Sequence, residues 1–134
     1  MASEDILTVR DIYAAFARRD IAALRDALAP ETAIEVSEGL PWSGSHKGPD
    51  GLVAFLGELF SHLELQLEIE DIIDAGGVIL QVGHTSGRVL ANGTEFRARE
   101  LHSWRFEDGK LVAFRVWVDV PTMQAALAGE QVEV

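Results

Sequence analysis

Ile6, Val9, Tyr13 and Phe16 recur at intervals of three and four residues, with Arg10, Arg18 and Arg19 off that stripe. The spacing predicts an amphipathic helix from about Glu4 to Arg19. Asp20 restarts the pattern as an N-cap, and Leu24 and Leu28 carry a second, shorter helix. That helix must stop at Ala29, because Pro30 disfavours helical geometry in the residue before it. The alternation Ala33-Ile34-Glu35-Val36 predicts one strand, and Gly39, Pro41, Gly44, Gly48 and Pro49 then mark a loop around Trp42. A third helix enters at Pro49-Asp50 and carries a wide apolar face of Leu52, Phe55, Leu56, Leu59, Phe60 and Leu63.

Beyond Leu63 the apolar period changes from about 3.6 to 2. Gly76-Gly77, Asn92-Gly93 and Asp108-Gly109 divide the remainder into four strands with hairpin turns between them. Their apolar faces read Leu65/Leu67/Ile69, Val78/Leu80/Val82, Phe96/Ala98/Trp104/Phe106 and Val112/Phe114/Val116/Val118, and Pro121 with Met123 to Leu127 predicts a short final helix. The expected fold class is α+β, with three helices packed on a curved, mainly antiparallel sheet. Residues opposite each other in a hairpin must share a face, so three-residue loops, Ala91-Asn92-Gly93 and Glu107-Asp108-Gly109, bring the even-numbered apolar faces into agreement. In that register His84 faces Glu100, Val82 faces His102, Glu100 faces Val116 and His102 faces Phe114.

Composition narrows the class of partner. The 134 residues suit one domain, and 48% hydrophobic with 25% charged residues is a globular balance able to bury a core. Eleven Lys and Arg against 22 Asp and Glu leave a charge of −11, which argues against nucleic acid or an anionic membrane surface as partner. Arg97, Arg99 and Arg105 are interleaved with Glu95, Glu100 and Glu107 and form no basic patch. With no cysteine, disulfides, thiolate metal sites and thiol nucleophiles are excluded. The acidic N-terminus does not read as a signal peptide and no apolar run reaches the ~20 residues that span a bilayer, so the expected location is cytoplasmic. Asn92-Gly93-Thr94 is read as a turn rather than a glycosylation site.

Three ionisable side chains stand out, because the predicted register points His84, Glu100 and His102 the same way on an otherwise apolar face. Burying them unpaired would cost several kcal/mol, so they must pair with one another, with water or with a ligand. As a functional group they are candidate proton-transfer residues, since desolvation raises a carboxyl pKa and a neighbouring imidazolium lowers it. As a structural group they are a satisfied core network in which Glu100 orients His84, or an outward-facing cluster if a bulge flips the strand. Tyr13, the only tyrosine, lies on the apolar stripe of the first helix, where its hydroxyl could meet a ligand oxygen or a backbone carbonyl. Trp42, in a loop, could contact a ligand or plug the core, and Phe16, Phe55, Trp104, Phe114 and Val116 complete the predicted pocket lining. His46 and His62 are read as solvent-exposed. Phosphate loops, nucleophile elbows and paired-histidine helices are absent, so no cofactor is expected. Facial metal binding by His84, Glu100 and His102 stays conceivable, but no metal is expected either.

The stretches Ile12-Tyr13-Ala14-Ala15-Phe16-Ala17-Arg18-Arg19-Asp20, Leu28-Ala29-Pro30-Glu31, Leu40-Pro41-Trp42-Ser43-Gly44 with Lys47-Gly48, and His102-Ser103-Trp104 with Asp108-Gly109-Lys110 and Val118-Asp119 carry a resemblance. From about Ile6 to Leu127 the chain resembles the SnoaL-like branch of the nuclear transport factor 2-like superfamily, which includes ketosteroid isomerases and polyketide cyclases. The resemblance implies a cone-shaped α+β barrel with a deep apolar pocket, and a homodimer through the outer sheet face, which Trp117 would suit. Ketosteroid isomerases use a first-strand carboxylate as base, a helix tyrosine and a neutral carboxylic acid on a later strand. The matching first-strand position here is Val36, which cannot accept a proton, whereas Tyr13 and Glu100 fall within about one residue of the other two. The base would then be His84 or Glu100. No inward arginine supports the Asp-Arg-Asp set of the epoxide-hydrolase relatives, and Asp119 fits a cap for the last helix. The implied function is binding of a hydrophobic small molecule, with isomerase or cyclase proton transfer on a hydrophobic carbonyl compound. The alternative is a non-catalytic ligand-binding or dimerisation module of the same fold.

Overall fold

The elements run α1 (Ala2–Ala17), α2 (Ile21–Asp26), β1 (Leu28–Val36), β2 (Gly44–Lys47), α3 (Gly48–His62), β3 (Leu63–Asp74), β4 (Val78–Val89), β5 (Glu95–Glu107), β6 (Lys110–Val118) and α4 (Val120–Leu127). They are seen in a computed structural model that describes residues 2–130. The strands form one sheet in the order β2-β1-β6-β5-β4-β3. Pairing is parallel between β1 and β6 and antiparallel elsewhere, so the sheet is mixed. Its two edges, β2 and β3, do not pair with each other. The α+β class stands, but the closed barrel expected from the resemblance is corrected to an open sheet; the helices number four in all, the three N-terminal ones and the short final helix, α4.

Two local differences concern the first half. The second helix ends at Asp26, and Pro30 sits within β1, where the β1–β6 register shifts between Leu28 and Ala33. An irregularity of that kind is where a strand tolerates proline. The segment Gly44–Lys47, expected as loop, adds an edge strand paired to Ala33–Val36. The caps follow expectation: Ala23 N–H donates to Asp20 Oδ1 at 3.1 Å, and Thr122 N–H donates to Asp119 Oδ1 at 3.3 Å.

The hairpin registers differ from the sequence reading, and the reason is local turn chemistry. Val89 and Thr94 bond through Val89 N–H to Thr94 O at 2.8 Å, leaving a four-residue loop in place of three. Asn92 holds that loop, donating to Ala126 O and Leu127 O at 3.2 Å each and accepting from Thr94 N–H at 2.9 Å. The extra residue reverses the parity of β4, so Ile79, Gln81, Gly83 and Thr85 oppose Trp104, His102, Glu100 and Ala98. Between β5 and β6 the turn is the two-residue Asp108-Gly109, with φ of 51° and 76°. A bulge between Arg105 and Phe106 then restores the even faces, pairing His102 with Val116 and Glu100 with Val118.

The core lies between the helices and the inner sheet face, with Val9, Ile34, Ile79, Leu111 and Met123 among the side chains almost wholly removed from solvent. Gly83 and Gly87 on β4 let β3 approach closely: a Cβ at either would run into the backbone carbonyls of Glu68 or Glu64. Among the described residues no helix is long and apolar enough to cross a membrane.

Gly87, at φ 153°, is both crowded and conformationally restricted. We expect Gly87→Ala to destabilise the fold by more than ~2 kcal/mol. Gly57→Ala, in the open at α3, should be neutral or stabilising by up to ~1 kcal/mol. Urea unfolding of both variants checks the contrast, and equal midpoints would refute the close-approach account.

Candidate functional site

A cavity of about 90 Å³ opens between the helices and the inner face of the sheet. Its wall takes Ile12, Tyr13 and Phe16 from α1, Leu52, Phe55, Leu56 and Leu59 from α3, and Trp104, Phe114 and Val116 from β5 and β6. Trp42 reaches it from the loop after β1, so all seven residues expected to line a pocket (Tyr13, Phe16, Trp42, Phe55, Trp104, Phe114, Val116) do surround one space. Apart from Trp42, they converge because each lies on the apolar stripe of its element, and the stripes of α1 and α3 face the same sheet surface. The volume is below the several hundred Å³ usual for drug-sized ligands. A one-ring compound, or one end of a larger molecule, is what it holds without rearrangement.

One side of this apolar wall is polar. His102 Nε2 lies 2.6 Å from Glu100 Oε2. Gln81 donates through Nε2 to Glu100 Oε1 at 2.9 Å, and Thr85 Oγ1 donates to Glu100 Oε2 at 3.4 Å. On the far side of the imidazole, Tyr13 Oη is 2.7 Å from Nδ1, and Trp104 Nε1 donates to Tyr13 Oη at 2.9 Å. Gln81 Nε2 also lies 3.3 Å from Tyr13 Oη and 3.2 Å from His102 Nδ1. Aromatic rings pack this cluster: Tyr13 lies near-parallel to His102 at 5.8 Å, and Phe114 meets His102 edge-on at 5.3 Å.

The charge states follow from these partners. Burial alone would raise the Glu100 pKa, but the hydrogen bond from His102, with those from Gln81 and Thr85, outweighs it and holds the carboxyl below the usual glutamate range. Glu100 is therefore an ionised carboxylate, the opposite of the neutral acid found at the comparable place in ketosteroid isomerases. Burial pushes the Tyr13 hydroxyl well above its ordinary pKa, against the lowering effect of Gln81 and Trp104, so Tyr13 keeps its proton. The hydrogen between His102 and Glu100 then sits on Nε2. Nδ1 is the acceptor for the Tyr13 hydroxyl, because Trp104 Nε1–H and the Gln81 amide already point at Tyr13 Oη and leave its hydrogen no other partner in the cluster.

His84 is not part of this cluster, which corrects the predicted trio. Its cross-strand partners are Arg99 and Glu68, on the outer sheet face, whereas Glu100 pairs with Gly83. There His84 is buried, and its Nδ1 lies 2.7 Å from Glu70 Oε1 without the alignment of a hydrogen bond. Glu70 is the extra residue of the bulge between Ile69 and Asp71, which also turns Asp71 outward and Ile72 toward the core. The facial metal set that the trio could have formed does not assemble. His46 is half-buried beside Phe55, with ring centroids 5.6 Å apart, and His62 pairs with Glu58 at 3.6 Å, so neither is simply exposed. Glu35 does lie on the outer side, accepting from Ser45 Oγ at 2.7 Å, and Val36 is buried as expected.

Sequence reasoning missed Gln81 and Thr85, because the apolar run Val78-Ile79-Leu80-Gln81-Val82 offers hydrophobic residues on both parities. The signal was present in Gly83 and Gly87: two glycines two positions apart from Thr85 mark the crowded, inward face of the strand.

The fold is shared by solved structures. A nuclear transport factor 2-like protein of unknown function from Burkholderia pseudomallei K96243 superposes with a TM-score of 0.86 at 30% identity, covering 92% of this chain and 97% of that one. A nuclear transport factor 2-like protein from Burkholderia thailandensis E264 gives 0.85 at 29% identity, over 90% and 95%. TerC, co-crystallised with polyporic acid, gives 0.84 at 24% identity over 93% and 98%, a likeness of fold. No curated protein matches the sequence significantly. The SnoaL-like domain profile matches residues 9–114, a span that includes α2, α3, most of the cavity lining and the Glu100–His102 pair, and the chain belongs to the SnoaL-like family.

Proposed function

We propose that the protein binds a hydrophobic small molecule in the cavity, and that Glu100 removes a proton from it in an isomerase- or cyclase-type step. The observation that carries this reading is an ionised carboxylate buried at the wall of an apolar cavity and held 2.6 Å from an imidazole. A carboxylate that loses its water shell is positioned to act on a bound acid. Because its pKa is held low, it suits ligand positions that are already acidic, such as a carbon beside carbonyl groups. The proton moves from that carbon to a Glu100 oxygen, and its electron pair passes into the carbonyl. Returning the proton to a second carbon completes an isomerisation, whereas attack of the carbanion on another carbonyl closes a ring. His102 holds the carboxylate through Nε2–H, and Tyr13 with Trp104 fixes the ring of His102. The relative TerC, crystallised with polyporic acid, supports ligand binding by this fold. The non-catalytic reading is favoured by a different observation, that the polar cluster is bonded within itself.

We also propose a homodimer through the outer sheet face. Val82, Leu101 and Trp117 are directly opposite one another on β4, β5 and β6, facing away from the helices, and Trp117 remains 42% exposed. A self-complementary contact with a second copy would cover this row.

Glu100→Gln is expected to keep the protein folded and to lower proton transfer on an identified substrate by at least ~10²-fold. Turnover equal to the parent's would remove Glu100 from the chemistry. The pH dependence has a definite sign: the folded pKa of Glu100 lies below its usual 4.5, so its stabilising effect is complete above that value and disappears as the pH falls through the lower folded value. Thermal melts between pH 3 and pH 7 should therefore show an acid decline that is shallower in Glu100→Gln; parallel curves would contradict the assigned charge. Trp117→Glu should shift light-scattering mass at micromolar concentration toward the monomer, and an unchanged mass rejects the interface.

A further inference from the structure

The polar cluster has no spare hydrogen. Trp104 Nε1–H points to Tyr13, the Tyr13 hydroxyl to His102 Nδ1, and His102 Nε2–H to Glu100. Both hydrogens of the Gln81 amide are also turned inward, one to Glu100 Oε1 and the other toward Tyr13 and His102, and Thr85 donates to Glu100. The Gln81 amide cannot turn over without aiming its carbonyl at the Glu100 carboxylate. Acceptors, by contrast, are in surplus. Glu100 offers about four lone-pair sites and receives three bonds. Gln81 Oε1 is buried with no partner.

From this census we infer that the cavity takes its ligand hydroxyl-first: the bound molecule is an apolar ring compound whose polar end is a hydrogen-bond donor, a phenol or enol, received by the Glu100 carboxylate. The inference rests on the reading of the cavity as a ligand site, and it narrows the carbonyl compound expected from the sequence to one that presents a hydroxyl. A carbonyl or ether oxygen brought to this wall would meet the carboxylate with no hydrogen between them, and nothing in the cluster could rotate to supply one without breaking an internal bond. An anionic ligand would meet a buried charge of its own sign. Phe16, Phe55 and Phe114 surround the remainder of the ligand with apolar surface.

Titration calorimetry of the intact protein with p-cresol, 4-methylbenzaldehyde and p-xylene tests this, because the three probes are close in size and differ in the polar group. The parent should bind p-cresol roughly tenfold tighter than the aldehyde, as a hydrogen bond to a charged group would give. In Glu100→Gln, whose amide supplies hydrogens of its own, that preference should shrink to less than about threefold. An aldehyde bound as tightly as p-cresol by the parent overturns the inference, and so does a p-cresol preference that survives in a folded Glu100→Gln. Should the variant not fold, the parent ratio decides alone. Binding of p-xylene without preference for p-cresol sinks this inference and leaves the cavity reading standing. Failure of all three to bind at millimolar concentration removes both.

Discussion

The negative charge on Glu100 is the constraint around which the interior is arranged. A carboxylate taken out of water costs several kcal/mol unless donors replace its hydration, and here the sheet supplies them from two strands. His102 is two residues along on β5, so it shares the inner face and reaches the same carboxylate. Gln81 and Thr85 come from β4, two residues either side of Gly83, the residue directly opposite Glu100. A side chain at Gly83 would run into Gln81 Oε1 and the Glu68 carbonyl. A slip of one residue in the β4–β5 register would turn both donors to the other face of the sheet and strand the charge.

That register depends in turn on features far from the cavity. The four-residue loop after Val89 is held by Asn92 against the end of α4, so a C-terminal helix and a surface turn together determine which residues of β4 look inward. The bulge in β6 has the corresponding role on the other flank, keeping Trp104, His102 and Glu100 opposite Phe114, Val116 and Val118. The aromatic packing of Tyr13, His102, Trp104 and Phe114 then limits how far the imidazole can move. Chemistry at the inner face is thus positioned by backbone devices, while the side chains of the helices shape the cavity.

The sheet is apolar on both faces along β4, and the two faces carry different chemistry. The inner face holds the Glu100 cluster. The outer one holds His84 against Glu70, the Glu68–Arg97 pair and the row that ends in Trp117. A strand with hydrophobic residues at Val78, Ile79, Leu80 and Val82 signals cover on both sides, since residues that stay wet gain nothing from being apolar.

Helical periodicity and the glycine-marked turns were enough to locate the helices and the long strands, and the same periodicity placed most of the aromatic residues of the cavity wall, because those signals are local. Capping by Asp20 and Asp119 was legible for the same reason. Glu100 and His102 could be recognised as misplaced polar residues on an apolar strand. Their partners could not: choosing Gln81 and Thr85 over His84 required knowing one residue of loop length. The parallel pairing of β1 with β6 likewise joins segments remote in sequence. Side-chain alternation repeats every two residues, so a single added residue inverts a face, and only the assembled chain, where Asn92 meets α4 and Gly83 meets β3, selects between the two.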